Sequence, residues 1–450
     1  MTIKVKHSLL AASVAVALAS PMSVLATNGM NLEGYGPIAT GMGGASMAYD
    51  NGVAAVMNNP ATLGLMDDGS SRLDVALGNL GPDVSNDAGP GGIAKSGGTS
   101  YFMPAIGYAK RAGKLTYGFG MSAQGGMGTE YGANTFMANP SQGGTTSINK
   151  VTRSEVGVGR IVAPIVYNLD KNLTIGGSID YVWATMDLQM AASQAQAMGM
   201  ITGGTLAGAL GGLPAWDTAY FDFSDDNDFG GQASGAGFAG KIGLTYKVSN
   251  EISIGATYHT ETSMGDLETS GFGATMSMFS NGATVAGGVM PGKIAVNDFQ
   301  WPSTLGVGMT YKQDKFMIAA DVKTISWSDV MSSFNMTFSN AMGNLTMSMP
   351  QNWEDQTVIH IGGSYKLSSA TTLRAGVNSS SNPVPSSTVN PLFPATIENH
   401  YTLGFGHDLS KKSAINFSLA IAPEVSVTAG TGIVTTHAQT NWQFMYSQKF

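Results

Sequence analysis

Few residues in this chain are of a type and spacing that could do chemistry. There is no cysteine, which excludes thiol nucleophiles, thiolate metal sites and disulfides. Asp, His and Ser occur, but no nucleophile elbow or metal-ligand spacing joins them, and neither catalysis nor a cofactor is expected. The acidic run Phe221-Asp222-Phe223-Ser224-Asp225-Asp226-Asn227-Asp228 lacks EF-hand spacing. It reads as a solvated loop tip, with a bound cation as the other reading. A second set of charges stands out by position. Asp180, Lys241, Asp321, Lys323, His360, Arg374 and His400 fall on the polar side of alternating stretches. Enclosed charges need partners. They could hold one another in a salt-bridge network, or one cation could hold a carboxylate through charge-assisted hydrogen bonds. Arg374 and Lys323 are the candidates for that cation, and an uncharged ligand would need neither. Methionine is the other unusual type. Met198, Met200, Met276, Met278, Met290, Met331, Met336, Met342, Met347 and Met349 lie in long connections. Met is flexible and apolar, and suits surfaces that accept varied partners. Met198, Met200, Met276 and Met278 are the ligand candidates; the alternative is that the loops pack on one another as a cap.

The elements that must position these groups are strands. Trp442, Phe444, Tyr446 and Phe450 share one face of the C-terminal stretch, and Asn441, Gln443, Ser447 and Lys449 the other. Period two with one oily side and one wet side means a half-lipophilic strand. The same rhythm recurs upstream. Ile242, Leu244, Tyr246 and Val248 lead through Ser249-Asn250-Glu251 to Ile252, Ile254 and Tyr258. Leu305, Val307, Met309 and Tyr311 lead through Lys312-Gln313-Asp314-Lys315 to Phe316, Ile318 and Val322. Counting gives one opening strand, about 71–80, six hairpin pairs and one closing strand. Six connections are short and polar, and seven are long. Short turns on one side and long loops on the other is the arrangement of an outer-membrane barrel. The expected fold is therefore all-β, a 14-stranded antiparallel transmembrane β-barrel. An even count puts both termini on the short-turn, periplasmic side. Closure leaves no strand edge for lipid to meet.

Composition agrees. Only 12% of the 450 residues are charged and 60 are Gly, against about 25% charged and about 7% Gly in soluble domains. The net charge of −8 speaks against nucleic acid as a partner. Lys4, Lys6 and His7, then the apolar run Leu9 to Ala19, then Val24-Leu25-Ala26, read as a signal peptide over 1–26. No later run reaches the length of a transmembrane helix.

Residues 27–70 are apolar and turn-rich, and read as a compact hatch, or plug, inside the lumen, with a disordered periplasmic tail as the other reading. The barrel itself then runs over 71–450. Here the sequence resembles a known family. Gly41-Met42-Gly43-Gly44-Ala45-Ser46, Asp50 and Asn59-Pro60-Ala61 are similar to the hatch of the FadL-type long-chain fatty acid transporters, which include porins for toluene and related hydrocarbons. Pro302-Ser303-Thr304-Leu305-Gly306, Arg374-Ala375-Gly376-Val377 and His400-Tyr401-Thr402-Leu403-Gly404 continue the match in order. The resemblance implies a monomeric outer-membrane channel that takes up hydrophobic small molecules, long-chain fatty acids first, without energy input. Loops would catch the ligand, a pocket beside the hatch would hold it, and a gap in the wall would release it sideways. Gly41, Gly43, Gly44, Asp50, Asn59, Pro60 and Ala61 are the implied gating residues. Asn59, Pro60 and Ala61 would lie beside strand 114–124, whose Gly118 and Gly120 would mark the lateral opening or merely allow curvature. Outer-membrane lipid, lipopolysaccharide and, through Phe450, the barrel-assembly machinery are the implied partners.

Overall fold

The computed structural model describes residues 28–140, 147–226 and 231–450. The expected signal peptide, and Asn227 and Asp228 of the acidic run, lie outside them.

Alternation becomes strand throughout. In Asn399–Asp408, Tyr401 and Leu403 are 57% and 60% exposed, while His400 and Thr402 are buried. In Ala233–Lys247, Phe238 and Ile242 are exposed and Lys241 between them is buried. Apolar outside with polar inside inverts a water-soluble sheet, and lipid is the solvent that favours it. No described helix is long and apolar enough to cross a membrane.

The wall is a closed antiparallel circuit. It runs through Ser71–Leu80, Tyr101–Ala112, Leu115–Tyr131, Thr152–Asn168, Leu173–Ser193, Ala233–Lys247 and Ile252–His259. It continues through Thr304–Gln313, Phe316–Ile325, Gln356–Lys366, Thr371–Ser380, Asn399–Asp408, Ser413–Thr428 and Val434–Lys449. The last strand closes on the first, Ser447 opposite Asp74.

The expected count of fourteen strands needs correction: among the described residues the sheet holds 24. The long connections carry ladders of their own. Ala274–Ser280 pairs with Ala283–Asn297 about Asn281-Gly282, whose φ angles of 48° and 78° are those of a hairpin turn with two left-handed residues. Ser333–Asn340 pairs with Gly343–Pro350, and Thr218–Phe223 joins Leu173–Ser193 to Ala274–Ser280. These pieces prolong the wall past its lipid-facing band. Their methionines alternate onto the inner face, so Met276, Met278, Met336 and Met347 are buried. The charge-free run 191–213 is broken into short elements. A helix Gln194–Met200, boxed at its start by Ser193 and Gln196, gives way to a strand Ile201–Gly203 and a turn of helix Ala207–Leu210.

Residues 28–66 fill the inside of the circuit, nearly all of them buried. They form the helix Pro37–Thr40 and the 3-10 helices Val53–Val56 and Pro60–Leu65. Wall glycines seat this segment by close approach. A Cβ on Gly362 would stand 2.1 Å from the Met42 carbonyl oxygen, and one on Gly376 would stand 2.3 Å from the Gly43 nitrogen.

Candidate functional site at a gap in the barrel wall

Two neighbouring strands part company halfway along. Tyr101–Ala112 pairs with Leu115–Tyr131 from Ala112↔Leu115 to Ile106↔Met121, and there the ladder ends. Beyond it, of the wall strands, Tyr101 to Ala105 pair only with Ser71–Leu80, and Ser122 to Tyr131 only with Thr152–Asn168, among the described residues. The split has local causes. Gln124 is an extra residue between Ala123↔Gly159 and Gly125↔Val158, and such a bulge bends its strand. Pro104, in the opposing stretch, has no N–H to offer a ladder.

A cavity lies behind the split, with about 600 Å³ of empty space, part of it open at the mouth. Met103, Ala105, Ile106, Met121, Ser122 and Ala123 line it from the two parted strands, and Leu32, Tyr35, Val53, Val56 and Met57 from the internal segment. Asp74 is its one charged lining residue, and the Asp74 carboxylate accepts from the Val53 N–H at 2.7 Å. Apart from Tyr35 and Gln443, the rest is aliphatic carbon, thioether and small residues, which suit an apolar guest.

A second apolar space, the loop chamber, lies under the long connections. Met30, Met127, Val156, Met186, Phe299, Met331, Phe334 and Phe393 line it, with Gln351. Between the two spaces stands a polar node on Asn31. The Asn31 Oδ1 accepts from Trp301 Nε1 at 3.0 Å and from Gln124 Nε2 at 2.9 Å. The Tyr35 hydroxyl, 3.3 Å from the same oxygen, donates to the Gln124 carbonyl at 2.8 Å. Asn31 bridges to Gly125, and the Gly126 N–H donates to the Met30 carbonyl at 3.0 Å. The inner segment is thus bonded to the very bulge that opens the wall.

Charged side chains hold the rest of that segment. Lys241 donates to the carbonyls of Val56 at 2.9 Å and Met57 at 2.6 Å, fixing the 3-10 turn that floors the cavity. Asp180 accepts from Arg160 at 3.2 Å, and His259 Nε2 stands 2.9 Å from the same carboxylate. Asp321 accepts from the N–H groups of Ser46 and Met47.

The expected gating residues sit in this internal segment. Gly41 lies against Gly404, and Gly43 and Gly44 take positive φ, 69° and 88°. Asp50 makes two 2.8 Å bonds to Arg72. Burial pushes its carboxyl up, but the Arg72 charge, these bonds and the Gly52 N–H outweigh that and hold it below the usual carboxylate range. The expected place of Asn59, Pro60 and Ala61 beside strand 114–124 is corrected. Asn59 caps its own helix and donates to the Met47 and Leu244 carbonyls. Pro60 meets Gly243 and Ala61 meets Gly176, across the lumen wall. Val56 meets Gly120 on that strand, and Val53 meets Gly107 on its neighbour Tyr101–Ala112. Gly118 and Gly120 lie in the paired part of their strand, below the split and not in it. A Cβ on Gly118 would press on the Tyr108 carbonyl, so it serves strand contact.

The expected ligand residues are dispersed. Lys323 lines a polar space with Lys241, His259 and Asn31. Arg374 donates to Asn416 Oδ1 at 3.2 Å and lines neither apolar space. Met276 and Met278 are buried between hairpins, and Met198 is 47% exposed on the short helix. Met200 packs, partly buried, against the core. Sequence reasoning missed Asn31, Gln124 and Trp301. The one legible signal was Gly125-Gly126 at the end of an alternating run.

The chain matches the family described as outer membrane protein transport protein (OMPP1/FadL/TodX) over residues 13–449. Two toluene transporters are similar to it in structure. TodX of Pseudomonas putida is 32% identical, with a TM-score of 0.84 over 93% of this chain and 99% of that one. TbuX of Ralstonia pickettii is 31% identical, with a TM-score of 0.78 over 93% and 99%. A FadL homologue of Pseudomonas aeruginosa shares the fold, with a TM-score of 0.69 at 15% identity over 94% and 99%. A 62-residue stretch is 58% identical to an uncharacterized protein encoded in the 5′ region of the phosphoenolpyruvate carboxykinase gene of Chlorobium limicola. That match spans 14% of this chain and only 30% of the relative's length.

Proposed function

The chain belongs to the outer membrane protein transport family (OMPP1/FadL/TodX), and from that premise we propose that it is a passive channel for uncharged hydrophobic small molecules, monoaromatic hydrocarbons among them. The observation that carries this reading is the cavity behind the split. It is apolar, it opens where the wall has no ladder, and its only charged lining residue is an acid, Asp74. No cation there would hold a carboxylate ligand. An uncharged one needs none, and each CH₂ it moves from water into carbon is worth about 0.8 kcal/mol.

The geometry supports one route. A ligand enters the loop chamber, passes Met30, Asn31 and Leu32, occupies the cavity, and leaves through the split into the membrane. Release into lipid avoids the aqueous periplasm, so partitioning alone drives the transfer. In this reading the long connections face outward among lipopolysaccharide, both termini are periplasmic, the channel is a monomer, and Phe450 ends the strand that the assembly machinery reads.

Long-chain fatty acids are the second reading. The polar space lined by Lys241 and Lys323 adjoins Asn31 and could take a carboxylate. The deciding experiment is uptake of labelled toluene and of a labelled long-chain fatty acid by Gram-negative cells that lack their own transporter and express this chain. Faster toluene uptake alone supports the first reading. Faster fatty acid uptake alone supports the second, and neither, with the barrel folded in the outer membrane, contradicts both.

A further inference from the structure

Three consecutive residues wall three different spaces. Met30 lines the loop chamber, Asn31 the polar space and Leu32 the cavity behind the split. Whatever holds these residues in place therefore keeps the loop chamber and the cavity apart.

The hold is a row of tryptophans. Trp301 and Trp327 meet edge to face with centroids 5.5 Å apart, and Trp327 and Trp353 likewise at 5.1 Å. All three are buried. The row lies directly on the partition. A Cβ on Gly29 would stand 2.6 Å from Trp327 Nε1, and one on Gly125 would stand 2.6 Å from Trp301 Cζ2. Of the three indoles, Trp301 bonds the partition itself, through Nε1 to Asn31 Oδ1; Trp327 donates to Gln356 at 3.4 Å. Each tryptophan is also tied by a short length of chain to the loop chamber. Phe299 lines it two residues before Trp301, Gln351 two residues before Trp353, and Met331, which does so too, donates its N–H to the Trp327 carbonyl at 2.9 Å.

We propose that Trp301 is the latch of the partition: a guest that displaces the loop-chamber wall shifts the tryptophan row, breaks the Trp301–Asn31 bond and frees Met30 to Leu32 from the Gly125–Gly126 bulge. Trp301 is a positioning residue in this scheme. It lines neither apolar space and acts through Asn31. The inference rests on the channel reading above, but its first test needs no ligand.

The test is hydrogen exchange on the full mature chain in lipid nanodiscs, read by mass spectrometry on peptides covering 28–35 and 122–131. Losing one hydrogen bond in Trp301→Phe should speed exchange in both about tenfold. Trp327→Phe keeps the Trp301–Asn31 bond and should leave 122–131 unchanged, whatever it does to 28–35, where Gly29 packs on Trp327. Exchange in Trp301→Phe at the wild-type rate, or the same acceleration of 122–131 in Trp327→Phe, overturns the latch. Should Trp301→Phe fail to form a heat-resistant barrel, Asn31→Leu removes the acceptor from the internal segment; since it also loses the Gln124 bond, it should speed exchange in both peptides at least as much, and wild-type exchange in it overturns the latch. Toluene added to the wild type should then speed exchange in the same peptides and change the near-ultraviolet circular dichroism of the tryptophan row. Normal toluene uptake with neither change contradicts the coupling. Absent uptake contradicts the channel reading instead, and the ligand-free comparison still decides the latch.

Discussion

The carbonyl oxygen of Met30 lies where a side chain on Gly125 would begin: a Cβ there would stand 1.9 Å from it. The bulge that parts the wall is thus also the seat on which the inner segment rests, so the opening in the strand and the closure of the lumen depend on one glycine. Gly125→Val should unseat residues 28–32 while the lipid-facing ladder forms as before. The expected outcome is a folded, surface-expressed barrel with several-fold higher single-channel conductance to small ions. Wild-type conductance would show that the segment is held elsewhere.

Lys241 anchors the floor of the cavity. Lys241→Met removes a charged donor from the Val56 and Met57 carbonyls. One such bond is worth about 2 kcal/mol, which corresponds to roughly 30-fold in an opening equilibrium. Amide exchange across 53–58 should accelerate by that order while the wall strands stay protected. Equal acceleration in wall and hatch would mean that the whole barrel had loosened.

The strand pattern was legible because its physics is local. Leu403 faces lipid and Thr402 the lumen through the pleat alone, and the same parity put Lys241 and His400 inside. The hairpin about Asn281-Gly282 was not read, although Asn-Gly is a turn signal, because a methionine-rich connection reads as a loop until its alternation is followed. The split was not legible. It depends on Gln124 being unpaired on one side and on Pro104 facing it from another strand, which are relations across the sheet. Asn31 was hidden for the same reason: its partners Gln124 and Trp301 lie 93 and 270 residues away. The Asn59-Pro60-Ala61 motif marked the internal segment, but its side chains pack chiefly on Gly243 and Gly176, and Val53 and Val56 are the residues against Gly107 and Gly120 of the parted strands.

Acid should act on the Asp50–Arg72 clip late. The Asp50 carboxyl is held below the usual carboxylate range in the folded protein. Its contribution is therefore complete above the unfolded value and lost only as pH falls through the lower folded one. Protection of residues 50–53 from proteolysis should be flat from pH 7 to about pH 5 and fall only below about pH 4. Asp50→Asn should show the reduced protection at every pH. A decline already complete at pH 5 would contradict the assignment.

Charge in the lumen should matter by ligand. Arg374→Gln and Lys323→Met touch neither apolar space, so uptake of toluene should match the wild type at equal surface expression. Lys323→Met should lower fatty acid uptake if that ligand uses the polar space. Loss of toluene uptake in either variant would place the route through the charged side of the lumen.

The central claim is that the ligand leaves through the split between Tyr101–Ala112 and Leu115–Tyr131. The chain has no cysteine of its own, so a pair placed at Ala105 and Ser122, the first positions past the end of the ladder, can be joined by a short reducible bis-thiol cross-linker. The measurement is toluene uptake by cells carrying the pair before joining, after joining and after reduction. Our account predicts near-complete loss on joining and recovery on reduction, with each single cysteine behaving as wild type. Uptake that persists through a verified cross-link would show that the ligand leaves by another path.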